Sequence, residues 1–140
     1  MKKHPILLSV IFLIIACKNT ASNNSLEEKP DFKTSLENGK IVYNNYCITC
    51  HMANGEGVPK AFPPLAKSDY LMIDIPRAIK IVKYGQQGEI TVNGKTYNGS
   101  MTPLGLSDKQ IADVLNYITN SWGNTNDNLI TVNEVSSMER

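Results

Sequence analysis

Cys47-Ile48-Thr49-Cys50-His51 is the stretch on which the reading of this chain turns. Two thiols three residues apart stand about one turn apart on a helix, so both leave it on one side. The next residue adds an imidazole beside them. Upstream, Ser35 to Tyr46 reads as a helix, with Thr34 and Glu37 spaced as a capping box. Gly39, Tyr43 and Tyr46 fall close to one face of it. A glycine inside a helix costs about 1 kcal/mol relative to alanine, and close approach of a second helix is one reason to keep it. Downstream, Met52 to Leu65 holds Gly55, Gly57, Pro59, Pro63 and Pro64, which punctuate regular structure, so a loop is expected there.

Further along, Ile75 to Tyr84 is predicted helical, with Asp74 as N-cap, Pro76 in the first turn and Gly85 as the stop. Asn93-Gly94 lies between Ile90-Thr91-Val92 and Lys95-Thr96-Tyr97, and Asn-Gly is the preferred pair for a two-residue hairpin turn. A loop with Met101 and Pro103 follows. The last helix starts at Ser107, capped with Gln110, and carries Ile111, Val114, Leu115, Ile118 and Trp122 at helical spacing, with Gly123 as its stop. Residues 124–140 are polar and read as a loosely held C-terminal tail, with Leu129, Ile130 and Val132 able to pack back. The expected fold class is all-α with a short β-hairpin, in one domain over residues 34–123.

Residues 1–16 read as a signal peptide. Lys2 and Lys3 precede an apolar stretch from Ile6 to Ile15 that is too short to span a bilayer, which takes about 20 residues. The segment ends Ile14-Ile15-Ala16-Cys17, which resembles a bacterial lipoprotein box, so Cys17 is expected to carry a lipid anchor. Residues 17–33 are rich in Asn, Ser, Glu and Lys and are expected to form a flexible tether. About 16 such residues reach roughly 20–25 Å. Loss of Lys2 and Lys3 turns 14 basic and 13 acidic residues into 12 and 13, a net charge of −1. No concentrated basic patch points to nucleic acid.

With an export signal in front, the two thiols and the histidine fit covalent haem attachment. Cys47 and Cys50 reach the two vinyl groups at one edge of the porphyrin, and His51 addresses the iron from the same side. Three other readings fare worse. Structural zinc takes four ligands, yet His51 is the one histidine left after processing and no further cysteine is free. A thioredoxin-like dithiol needs a strand–helix context. A Cys47–Cys50 disulfide leaves His51 unexplained. No second histidine remains after processing, so methionine is the natural candidate for a second axial ligand. Met1 leaves with the signal peptide, Met138 lies in the tail, and Met52 adjoins His51. Met72 sits in the apolar run Tyr70-Leu71-Met72-Ile73, where core packing is the plain explanation. Met101 sits among Asn98-Gly99-Ser100 and Thr102-Pro103, where packing explains it poorly, and is preferred.

From Gly39 to Trp122 the sequence resembles the class I c-type cytochromes, in a monohaem, lipoprotein form. The resemblance implies the cytochrome c fold, with three to four helices around one covalently bound haem c. It also implies that Gly39 and Tyr43 mark the crossing of the terminal helices, answered by Leu115, Tyr117 or Ile118. Pro63-Pro64-Leu65 is similar to the family's proline element, and Pro63 is assigned the carbonyl that accepts from the proximal imidazole. The segment from Asn98 to Pro103 is similar to its methionine loop. The implied role is a membrane-tethered single-electron carrier, not an enzyme, on the periplasmic side. Its implied partners are redox proteins, including a membrane oxidoreductase complex, with no small-molecule substrate and no nucleic acid. Lys60, Lys67, Lys80, Lys83 and Lys95 either ring the haem edge or are ordinary solvated residues. The competing reading is a haem gas sensor or haem enzyme, which requires Met101 to be displaceable.

Overall fold

The computed structural model describes residues 31–140, so the expected signal peptide, Cys17 and most of the expected tether lie outside the described residues. Six helical segments and one hairpin follow in order: α1 Phe32–Tyr46, α2 Ile48–His51, α3 Asp69–Ile73, α4 Ile75–Tyr84, β1 Gln86–Val92, β2 Lys95–Met101, α5 Asp108–Ile118 and α6 Val132–Ser137. The expected all-α class with a short hairpin is the observed one. Among the described residues no helix is long and apolar enough to cross a membrane.

The core forms where α1 crosses α5. Gly39 is required there. A Cβ on it would collide with the Asp113 carbonyl oxygen and lie 2.7 Å from Tyr117 Cβ. Tyr117 is one of the anticipated partners; Asp113 was not anticipated, because it meets Gly39 through its backbone. Tyr43, fully buried, packs its ring 5.6 Å from Tyr117 and 4.9 Å from Trp122. Beside the crossing lies a buried polar cluster. Ser35 donates to Asp113 Oδ1 at 2.7 Å, and Asn116 Nδ2 donates to Ser35 Oγ at 2.9 Å.

That cluster explains why α1 begins three residues before Ser35. The capping box at Thr34 and Glu37 does not form: Asp31 is the N-cap, without a side-chain bond. Ser35, locked to α5, fixes the first turn through tertiary contact, and Thr34 is left inside the helix and exposed. At the other end of the chain, α5 stops at Ile118 rather than running to Trp122 and Gly123. Thr119 Oγ1 donates back to the Leu115 carbonyl at 2.7 Å, and Trp122 adopts a positive φ of 53° outside the helix.

The tail is not loosely held. Asn116 binds Ile130 in both directions, donating to its carbonyl at 2.9 Å and accepting from its N–H at 2.8 Å. Ile130 and Val135 are buried in the same core as α1 and α5. Thr131 and Glu134 form the capping box of α6. The Tyr84 hydroxyl and Lys83 Nζ donate to the Met138 and Val135 carbonyls, fastening the tail to α4.

Elements α4 and α5 begin as the sequence dictates. Asp74 accepts from Arg77 N–H, a proline follows, and Gly85 caps α4 with φ 86°. Ser107 and Gln110 form a reciprocal capping box on α5. The hairpin turn is Asn93-Gly94, with φ of 50° and 72°, the two positive values that a type I′ turn needs. Its strands are longer than expected. Pairing runs from Val92↔Lys95 out to Gln86↔Met101, so Met101 ends a strand instead of sitting in a loop. The run Asn98-Gly99-Ser100 is a poor strand former, and the ladder to β1 holds it extended.

Candidate functional site

The motif cysteines and histidine come off the C-terminal end of α1. Cys47 N donates to the Tyr43 carbonyl and closes α1, and the chain turns directly into the single turn of α2. Cys47, Cys50 and His51 all line one apolar cleft of about 240 Å³. That is far more than the ~30 Å³ of a water molecule, so the cleft is sized for a ligand. Both cysteines are free and half-buried. Burial, with Cys50 adjacent, pushes the Cys47 thiol up to about 11, so it is a neutral thiol at physiological pH.

The imidazole is held by one bond. His51 Nδ1 lies 3.0 Å from the Pro63 carbonyl oxygen. A carbonyl accepts only, so Nδ1 carries the proton and Nε2 keeps a lone pair. Burial lowers the His51 pKa, against the pull of that hydrogen bond, and keeps the ring neutral. Loop geometry sets the carbonyl in place. Val58 and Phe62 exchange two backbone bonds at 2.8 Å, and Gly57 N–H donates to the His51 carbonyl at 3.0 Å. A Cβ on Gly57 would strike the Phe62 oxygen and the Pro63 backbone. Asn124 ties this loop to the end of α5, donating at 2.8 Å to both the Leu65 and Ile118 carbonyls.

Met101 lines the same cleft, brought there by β2. Met72 does not line it and packs against the hydrophobic core instead. The position of Met101 is fixed from behind. A Cβ on Gly85 would lie 2.6 Å from the Met101 carbonyl oxygen and 3.0 Å from the Pro103 ring. Gly85 therefore does two things: it ends α4 and lets the Met101 end of β2 cross close to it. The other end of the hairpin is also pinned. Asp69 and Asn93 exchange backbone-to-side-chain bonds at 2.7 and 3.0 Å.

The site thus gathers five residues from three separate stretches of the chain: Cys47, Cys50 and His51 at the end of α1 and in α2, Pro63 hydrogen-bonded to the imidazole, and Met101 on the hairpin. A scan against protein-family descriptions matches Cytochrome c over residues 36–122, more than half of the chain. The chain belongs to the cytochrome c family.

Curated relatives within and around the family agree. Cytochrome c-552 of Thermus thermophilus is 45% identical over 82 residues, which are 55% of this chain and 63% of that protein. Cytochrome c-555 of Prosthecochloris aestuarii is 32% identical over 92 residues, 61% of this chain and 86% of that one. The cytochrome c subunit of alcohol dehydrogenase (quinone) from Gluconobacter oxydans is 30% identical over 104 residues, 71% of this chain but only 21% of the subunit. The match therefore spans less than two thirds of the cytochrome c-552 relatives and about a fifth of the dehydrogenase subunit.

A c-type haem is the cofactor that the family implies, and the residues of this cytochrome-family chain fit it. The cleft is walled by apolar side chains from α4 and α5, among them Ile81, Val82, Val114, Leu115 and Ile118. It presents two thiols, one neutral imidazole and one thioether. Among the described residues no three His, Cys, Asp or Glu side chains are grouped to hold a bare metal ion, so the zinc reading gains no support. The lysines offered as a ring around the site do not line the cleft. Lys83 is committed elsewhere, 3.2 Å from Asp108 and bonded to the Val135 carbonyl. Three lining residues that sequence reasoning missed are Tyr70, Gln86 and Tyr97. Strand alternation about the Asn93-Gly94 turn contained the signal for the last two, since both share a strand face with Met101.

Proposed function

We propose that this chain is a monohaem electron carrier. Cys47 and Cys50 would hold the haem through thioethers, His51 and Met101 would supply its iron ligands, and Pro63 would orient the His51 ring. The observation that carries this reading is the convergence of two thiols, one imidazole and one methionine thioether on one apolar cleft, with His51 Nδ1 on the Pro63 carbonyl. The haem, when bound, supplies a one-electron iron couple. The chain does the rest. The Pro63 carbonyl keeps the Nδ1 proton and leaves the Nε2 lone pair for the metal. Apolar walls exclude water. A methionine–histidine pair raises the potential relative to two nitrogen ligands. With His51 and Met101 both committed to the metal, the site would leave no place for a substrate, which accords with the electron-carrier role of the cytochrome c family.

Cys17 would carry the lipid anchor and residues 17–33 the tether, keeping the carrier on the periplasmic side of a bacterial membrane. Partners are redox proteins. The similarity to cytochrome c subunits of alcohol dehydrogenase (quinone) and of gluconate 2-dehydrogenase supports a membrane oxidoreductase as donor or acceptor.

The test is an absorption spectrum of protein exported from a host with haem-attachment machinery. The colour is expected to survive acidified organic solvent, and the oxidised form to show the weak red band of iron–methionine bonding. Met101→Ala should abolish that band and Met72→Leu should leave it. A colourless product, extractable pigment, or the opposite pattern of the two variants refutes the assignment. Carbon monoxide uptake by the reduced wild type at neutral pH would favour a sensor or enzyme instead.

A further inference from the structure

Most glycines of the described residues have a visible structural reason. A Cβ on Gly39, Gly55, Gly57 or Gly85 would run into packed neighbours, while Gly88, Gly94, Gly105 and Gly123 sit at positive φ. Gly99 has neither reason. Its φ lies in the ordinary range, and the nearest foreign atom to a Cβ built there is the Ala61 carbonyl oxygen, 3.8 Å away. A glycine inside a strand weakens it, and close approach by a ligand is one of the few things that justify it.

The register gives that glycine a place. Gly99 pairs with Gly88, between the Gln86↔Met101 rung and the Ile90↔Tyr97 rung. All six of these residues line the cleft. Residues two apart on a strand share a face, so the hairpin presents three rungs to the cleft, and the middle one has no side chain from either strand. A Cβ on Gly88 would meet no atom within 4 Å. Both glycines are exposed along the cleft, whereas the adjacent rung, Glu89↔Asn98, is exposed but does not line it.

We propose that the Gly88–Gly99 rung is a slot kept open for a planar tetrapyrrole, and that its emptiness sets how near Met101 comes to the metal. This rests on the haem reading above. A side chain at position 99 would fill the space beside the ring and drive ring and hairpin apart. The Met101 end of β2 cannot follow, because it is pinned against Gly85, as the turn end is pinned to Asp69. The thioethers proposed at Cys47 and Cys50 would keep the ring attached. Reach of the methionine sulfur is what fails first.

The experiment uses the full chain with haem attached, in the variants Gly99→Ala, Gly99→Val and, on the outward rung, Asn98→Val. Gly99→Val is expected to keep covalent haem and wild-type helical ellipticity, to lose the red band, and to bind carbon monoxide when reduced at least about tenfold more tightly than wild type. Gly99→Ala should fall between the two, and Asn98→Val should match wild type. The proposal is overturned if Gly99→Val keeps the red band and refuses carbon monoxide, if Asn98→Val is affected as strongly, or if the band is lost only together with helical ellipticity. Wild-type protein without covalent haem would instead sink the haem reading itself, before any variant is compared.

Discussion

Gly39→Ala sets two physical effects against each other at one atom. In an isolated helix the change gains about 1 kcal/mol, because alanine is the better helix former. In this fold the new Cβ would overlap the Asp113 carbonyl oxygen and sit 2.6 Å from Asp113 C and 2.7 Å from Tyr117 Cβ, against an ordinary contact of at least 3.4 Å. Two of those atoms are backbone and cannot rotate away. Helices α1 and α5 must therefore separate by close to 1 Å, a gap that forfeits a quarter to a half of the dispersion energy of the contacts it opens. Overpacking of this kind costs about 1–3 kcal/mol. Separation also stretches the Ser35–Asp113 and Asn116–Ser35 bonds, now 2.7 and 2.9 Å, each worth about 1 kcal/mol. The net expectation is destabilisation by about 2–4 kcal/mol.

Guanidinium titration of the haem-loaded protein, followed by helical ellipticity and by haem absorbance, measures it as a fall in midpoint at unchanged slope. Adding Ser35→Ala tests the cause. If the crossing has already opened, Ser35→Ala costs less in the Gly39→Ala background than alone. A Gly39→Ala protein as stable as wild type, or more so, would mean that helix propensity wins and that α1 and α5 do not meet through backbone.

Val135→Ala removes two methyl groups from a fully buried site in α6 and should cost about 1–3 kcal/mol, read from the same titration; an unchanged midpoint would detach the tail from the core. Tyr43 is fully buried with its hydroxyl 2.6 Å from the Met52 carbonyl, and burial raises its pKa above the usual 10. Its contribution to stability is therefore whole below pH 10 and declines as pH rises beyond it; Tyr43→Phe should cost about 1 kcal/mol at pH 7 and flatten that alkaline decline in melts run at rising pH. Gly57→Ala, strained at φ 65° and driven into the Phe62–Pro63 backbone, should loosen the Pro63 carbonyl from His51 and shift the reduction potential measured by voltammetry, while covalent haem is retained.

Punctuation was the most legible layer of this sequence. Asp74, Pro76 and Gly85 delimit α4, Ser107 and Gln110 start α5, and Asn93-Gly94 makes the turn, because each acts through its own backbone or its nearest neighbours. Elements that depend on distant partners were misread. The start of α1 follows Ser35 reaching across to Asp113 rather than Thr34 capping locally. The strand state of Asn98, Gly99 and Ser100 follows the ladder to β1. The C-terminal tail looked polar, yet its order comes from Asn116, a residue outside it. Its α6 did carry a local signal, the Thr131–Glu134 capping box. At the site, spacing and likeness single out Cys47, Cys50, His51 and Pro63, and poor fit to packing singles out Met101; the fold brings all five to one cleft. Gly85 behind Met101 could not be read, since it already had a sufficient local explanation as a helix stop.

One element connects these layers. Asp113, Asn116 and Tyr117 recur at three- and four-residue spacing and so form one stripe of α5, which Asn120 continues in the turn just past its end. Asp113 and Tyr117 meet α1, while Asn116 and Asn120 bind the C-terminal segment. Val114, Leu115 and Ile118 lie on the adjoining stripe and wall the cleft. A helix is stiff, so the stripe bonded to α1 and the tail fixes the rotation of the stripe that faces the ligand. Asn116 and Asp113 are buried polar side chains, an arrangement that adds little net stability compared with apolar packing but is costly to leave unpaired. Their bonds are satisfied in only one rotation of α5 relative to α1. The polar cluster is thus what selects, among several apolar packings of similar energy, the one in which three aliphatic side chains of α5 wall the cleft that Met101 and His51 also line.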